Sequence, residues 1–147
     1  MKKFILATLL LLSGIYKKAQ IVTPVKWAYA AKKVNNGEAI VYLKATIDKG
    51  WHIYSQNVGE GGPVKTSFSF AKSGDYQLVD KTTEPAPKTK FEKAFDMKVT
   101  YFENAVIFQQ KIKLNKPKTV LKGSLTYMVC SNKECLPPED VEFSVAL

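Results

Sequence analysis

Apolar and polar residues alternate with a period of two in one short run after another along this chain. No segment beyond the amino-terminal run sustains a helical period. In Glu38–Ile47, Val41, Leu43, Ala45 and Ile47 share one face, while Tyr42, Lys44 and Thr46 take the other. The turn signal Asp48-Lys49-Gly50 leads into Trp51–Gln56. Phe68 and Phe70 alternate with serines, and Val106, Phe108, Ile112 and Leu114 share a parity. At the end, Val141, Phe143, Val145 and Leu147 oppose Glu142 and Ser144. Half-buried strands of this length, punctuated by turns, predict an all-β antiparallel sandwich or barrel. At 147 residues and 46% hydrophobic content the chain is one domain with an adequate core.

Lys2 and Lys3 precede the largely apolar run Phe4–Leu12, which is far shorter than the ~20 residues a spanning helix needs. A basic start followed by a short apolar run is the pattern of a secretory leader. The expected division is a signal peptide over 1–19 and a domain over 20–147, with no membrane span in the mature chain. No cysteine precedes Cys130, which excludes lipoprotein processing. Export places the protein in the periplasm or outside the cell, where disulfides persist. The formal charge is +9, carried on lysine alone. Lys2, Lys3, Lys17 and Lys18 leave with the leader. The absence of arginine argues against a nucleic-acid partner, because bidentate guanine and phosphate contacts are mainly arginine's.

Two segments read as long loops: Gly59–Pro63 (GEGGP) and Lys81–Lys90 (KTTEPAPKTK). The second is rich in proline and cannot pair in a sheet interior.

The two cysteines carry the most specific signal. They lie in Tyr127-Met128-Val129-Cys130-Ser131-Asn132-Lys133-Glu134-Cys135-Leu136-Pro137-Pro138, a spacing that lets them face each other across a hairpin. Leu125, Tyr127 and Val129 form the apolar parity, so Cys130 falls off the core face, unless a bulge at the strand end changes the parity, and the bond is expected to be exposed. So short a loop gains about 2 kcal/mol from a bridge, against ~4.7 kcal/mol for a 100-residue loop. A domain of this size has little need of it. Redox exchange is favoured on these grounds. Two rivals stand beside it: a structural hairpin disulfide in a secreted, non-enzymatic binding module, and a soft-metal site using both thiolates with Met128 or His52. Two cysteines and one histidine do not supply the usual structural zinc sets. Lys133 favours a thiolate and Glu134 opposes it.

The pieces Gly50-Trp51-His52-Ile53-Tyr54-Ser55-Gln56, then Tyr101, then Tyr127 through Cys130 to Cys135-Leu136-Pro137-Pro138-Glu139 stand in an order that resembles the amino-terminal periplasmic domain of the thiol:disulfide interchange protein DsbD. The resemblance covers roughly Val25 to Leu147. The cysteine spacing is one residue shorter than in the enterobacterial members. The family implies an immunoglobulin-like β-sandwich whose cysteine pair takes electrons from a thioredoxin-like domain and passes them to oxidised periplasmic proteins. It implies Cys135 as the mixed-disulfide residue, Cys130 as the resolving one, and no metal or organic cofactor. The full-length protein also has a membrane region and a thioredoxin-like domain. With neither in this sequence, the electron donor is expected to be a separate chain.

The family also carries an aromatic cap over its disulfide, and Phe95-Asp96 best matches that position. Phe91 is the nearby alternative. His52 and Tyr54 share a strand parity opposite Trp51 and Ile53, and are expected to flank the cysteines, with Tyr54 donating a hydrogen bond. Pro137 and Pro138 lack backbone donors and should keep their segment at an edge.

Overall fold

The computed structural model describes residues 21–147; the leader expected over 1–19 lies outside them. Among the described residues, eleven strands make up the regular structure. They are β1 (Val25–Asn35), β2 (Glu38–Ile47), β3 (Trp51–Tyr54), β4 (Ser67–Phe70), β5 (Tyr76–Thr83), β6 (Lys88–Glu92), β7 (Met97–Phe102), β8 (Ala105–Leu114), β9 (Val120–Tyr127), β10 (Val129–Ser131) and β11 (Glu139–Ala146). All pairings are antiparallel, in three sheets ordered β1-β2-β8-β5, β10-β3-β7-β6 and β11-β9-β4. The architecture is an immunoglobulin-like β-sandwich.

The main core lies where inward parities meet. Val41, Leu43 and Ala45 of β2 and Phe108 and Ile112 of β8 join Leu121 and Leu125 of β9 and Phe143 and Val145 of β11. Trp27 stacks on Phe108 at 6.1 Å and meets Tyr127 edge-on at 5.6 Å. Gln110 shares the inward parity of β8 and is buried. Its amide donates to the carbonyls of Val79 and Asp80, where β5 shifts register and Asp80 has a φ of 59°. A polar side chain is tolerated there because it satisfies carbonyls the bulge releases from the ladder.

Gly123 is the tightest point of the β11-β9-β4 sheet, opposite Phe143 on one side and Phe70 on the other. A Cβ there would stand 2.6 Å from the Phe143 ring and 2.5 Å from the Ser69 carbonyl oxygen. Gly123→Ala should therefore cost about 1–3 kcal/mol through overpacking, read as a lowered urea midpoint. An unchanged midpoint would mean that the sheet relaxes around a methyl group at no cost.

The segment read as one long loop over Lys81–Lys90 is not a loop. β5 runs to Thr83 and β6 begins at Lys88, so only Glu84–Pro87 connects them. Both strands are sheet edges, which frees one side of each from pairing, and Pro85 and Pro87 sit in the connector. Glu84 ties that connector to the segment after β3: it accepts from Ser55 Oγ, from the Gln56 amide at 3.0 Å and from Asn57 Nδ2 at 3.2 Å.

The β10-β3-β7-β6 sheet positions the cysteines. Its strands share residues alternately between two clusters. Ile53, Phe102 and Val129 face the main core, whereas Tyr54, Val99 and Cys130 form a second buried cluster on the opposite face. The chain reaches this sheet by crossing over at Met128, between β9 in one sheet and β10 in another.

Candidate functional site: the Cys130–Cys135 disulfide

The parity of Leu125, Tyr127 and Val129 continues unbroken through Met128, so all three side chains enter the main core and Cys130 points away from it. Cys130 and Cys135 form a disulfide across a short hairpin. The Ser131 amide donates to the Glu134 carbonyl at 2.7 Å and the Leu136 amide to the Val129 carbonyl at 3.0 Å. Ser131 Oγ accepts from the amides of Lys133 and Glu134, closing the tip.

Lying off the core does not leave the bond exposed, as alternation alone suggested. Cys130 is 0% exposed, because the second cluster covers it, and Cys135 is half-buried. Alternation reports which face a residue takes; it does not report whether another layer covers that face. The two cysteines are therefore unequally buried, and Cys135 is the more accessible of the pair. A groove of about 740 Å³ runs past it, lined among others by Glu92, Phe95, Met128 and Lys133.

His52 stands directly opposite Cys130 in the β10–β3 register. It is buried, as is Tyr54. Tyr54 does not direct its hydroxyl at a sulfur. That hydroxyl donates to the Glu92 carboxylate, 2.9 and 2.8 Å from its two oxygens. The same hydroxyl is 3.0 Å from His52 Nε2. A phenol has one proton, so with Glu92 taking it, the network assigns the His52 proton to Nε2. Burial, first, and the Glu92 carboxylate push the Tyr54 hydroxyl well above the usual phenol range, which keeps it a neutral donor. Burial is also the main influence that lowers the His52 pKa, with nearby Lys90 acting in the same direction and Glu92 against it.

Phe95 is half-buried in this cluster, and its ring meets Tyr54 edge-on at 6.3 Å. It sits in a tight turn, in which the Phe95 amide donates to the Glu92 carbonyl and the Asp96 amide to the Lys93 carbonyl. Asp96 is exposed at a φ of 52° and shapes the turn without covering the sulfurs. Phe91, at 57% exposure, borders the groove but does not pack in this cluster. Met97, on the same turn, packs under the Gly59–Pro63 loop, where a Cβ on Gly62 would stand 2.7 Å from its sulfur. Sequence reasoning missed Glu92, Val99 and Met97. Glu92 reads as one more charge in a lysine-rich segment, and only the pairing of β6 with β7 brings it to Tyr54.

The sequence has a match over nearly the whole chain: residues 18–147 fit the family model described as thiol:disulfide interchange protein DsbD, N-terminal. The chain belongs to the DsbD N-terminal family. Thiol–disulfide interchange is what that family implies, and Cys130–Cys135 is the disulfide present. The N-terminal periplasmic domain of ScsB from Proteus mirabilis aligns with a TM-score of 0.60 and 22% identity, covering 86% of this chain and 49% of that one. The chain thus spans about half the length of that ScsB chain. The DsbD N-terminal domain of Neisseria meningitidis, solved in complex with the PilB N-terminal domain, aligns at 0.55 with 18% identity, covering 86% of this chain and 88% of that one. At such identities the likeness is one of fold. No curated protein sequence matches the chain. Among the described residues no helix is long and apolar enough to cross a membrane.

Proposed function

We propose that this DsbD N-terminal family member is an exported, periplasmic relay. Its Cys130–Cys135 pair carries electrons from a thioredoxin-like donor to oxidised envelope proteins. The observation that carries this reading is the unequal burial of the two cysteines beside an open groove: a staple needs no accessible cysteine, and an exchange site needs one.

A donor thiolate attacks Cys135 Sγ, the Cys130–Cys135 bond breaks, and Cys130 leaves and takes up a proton. A second donor thiol then resolves the mixed disulfide and leaves both cysteines reduced, with two electrons transferred. In the forward half, Cys135 attacks an oxidised substrate, and Cys130 resolves that intermediate and restores the bond. Cys130 is fully buried and Cys135 only partly so, and Cys135 therefore leads each attack. Phe95 and its turn serve as a cap that a partner displaces. His52 and Tyr54 flank the pair, with Tyr54 held through Glu92. No organic cofactor enters either half.

Mixing the oxidised protein with a reduced thioredoxin-like domain tests the reading. It should yield one free thiol pair per chain, counted by alkylation and mass, and the reduced protein should then reduce an oxidised periplasmic substrate. Failure to accept electrons from any such dithiol would overturn it.

A further inference from the structure

A ring nitrogen of His52, a carboxylate oxygen of Glu92 and Cys130 Sγ all lie within 4.8 Å of one another. Exchange between Cys135 and a partner does not require this convergence. We infer that the reduced protein has a redox-gated site for a borderline divalent cation of the zinc type, held by Cys130, Cys135, His52 and Glu92.

Cys135 Sγ lies outside that 4.8 Å cluster but is bonded to Cys130 Sγ, so a rotation of its side chain brings it to the same point once the bond is broken. In the disulfide neither sulfur is a thiolate, and the set is incomplete. A dithiol reductant supplies two electrons and two protons, the S–S bond breaks, and two thiols appear. The cation then displaces those two protons and gains two thiolate ligands. Two sulfurs, one imidazole and one carboxylate make a four-coordinate set of the types zinc accepts. Two cysteines and one histidine alone fall short of the usual structural site, and Glu92 supplies the fourth ligand.

Distances allow it. Tetrahedral zinc bonds of ≈ 2.0–2.3 Å place ligand atoms about 3.3–3.8 Å apart. His52 Nε2 and Glu92 Oε1 are already 3.4 Å apart. The remaining contraction is within reach of side-chain rotation. Burial favours tight binding, since His52 and Cys130 are nearly free of solvent and Glu92 is largely covered. In the disulfide form these groups are not left wanting, because Tyr54 bonds both His52 and Glu92. The cation would replace the Tyr54 contacts. Two thiolates and a carboxylate outweigh its double charge by one, and Lys90, Lys93 and Lys133 line the adjoining groove and offset the remainder. That groove is also the entry path.

Metal capture withdraws the thiols from exchange, so such a cation acts as an inhibitor that recognises only the reduced state. The inference needs a reducible pair and does not need the relay partners proposed above.

Cobalt(II) is the probe. The full chain is reduced with a phosphine, which is then removed without air, and titrated with Co2+. The reduced protein should show thiolate charge-transfer and tetrahedral ligand-field bands that saturate at one equivalent and bleach with Zn2+. The oxidised protein should show none. Cys130→Ser should abolish the bands, and His52→Ala and Glu92→Gln should each weaken binding at least about tenfold. A melt of each variant checks folding, and Glu92→Gln preserves shape if His52→Ala does not fold. Wild-type affinity in folded Glu92→Gln would overturn the site, as would bands absent from the reduced protein. Disulfide exchange, followed on the same metal-free samples, reports separately on the relay.

Discussion

Cys130→Ser should convert the protein from a carrier into a trap. The variant keeps the reachable thiol at Cys135 and loses the group that resolves a mixed disulfide. Offered a thioredoxin-like domain that lacks its second cysteine and carries a thionitrobenzoate on its first, it should release one equivalent of thionitrobenzoate. A stable covalent complex should accumulate, and turnover should fall to zero. Cys135→Ser leaves only Cys130, which is 0% exposed, and should trap far more slowly. Serine in place of a half-cystine also removes the bridge, about 2 kcal/mol by the chain-entropy model, so both variants should remain folded. Equal trapping by the two variants would show that burial does not choose the attacked sulfur. Faster trapping by Cys135→Ser would reverse the assignment.

Phe95→Ala should speed reduction of the folded protein by dithiothreitol about tenfold. The turn carrying Phe95 is in a two-state equilibrium, and a small thiol attacks Cys135, only half-exposed in the closed form, chiefly when that turn lifts. Burying a phenylalanine fully contributes about 1.5–3 kcal/mol, and this ring is half-buried. A loss of ~1.4 kcal/mol from the closed form raises the open population about tenfold. Global stability should change little, since the ring packs on the second cluster and not on the main core. Phe108→Ala supplies the contrast: that residue is 0% exposed in the main core, and its truncation should cost about 3–5 kcal/mol. Phe91→Ala should change neither rate nor stability. A collapse in the Phe95→Ala urea melt, with the reduction rate of the folded fraction unchanged, would make Phe95 a structural residue and end its role as a cap.

Much of this architecture is written locally in the residues. β2 occupies Glu38–Ile47, the run whose alternation is cleanest, and the parity from Leu125 to Val129 turns Cys130 away from the main core. β1 is harder to read because alanines at Ala28, Ala30 and Ala31 blur its alternation, although Trp27 and Tyr29 pack against the core. The strands around Lys81–Lys90 are hidden by proline and charge, which edge strands tolerate and central strands do not. The site is less legible than the fold. Cys130 and the flanking pair, His52 and Tyr54, lie on strands whose parity can be followed. Glu92 reaches them through register between β6 and β7, a relation between distant segments that no local pattern encodes. The burial of Cys130 has the same origin, since Val99 and Phe95 cover it from elsewhere in the chain.

The reduction potential of the Cys130–Cys135 couple decides between a relay and a staple. Equilibrating the protein against glutathione or thioredoxin buffers and counting thiols by mass measures it directly. A relay should fall in the range of thioredoxin-like couples, roughly −120 to −270 mV, so that electrons can pass in from one partner and out to another. A value below about −300 mV, with no exchange against any thioredoxin-like dithiol, would identify a structural bridge and contradict the account.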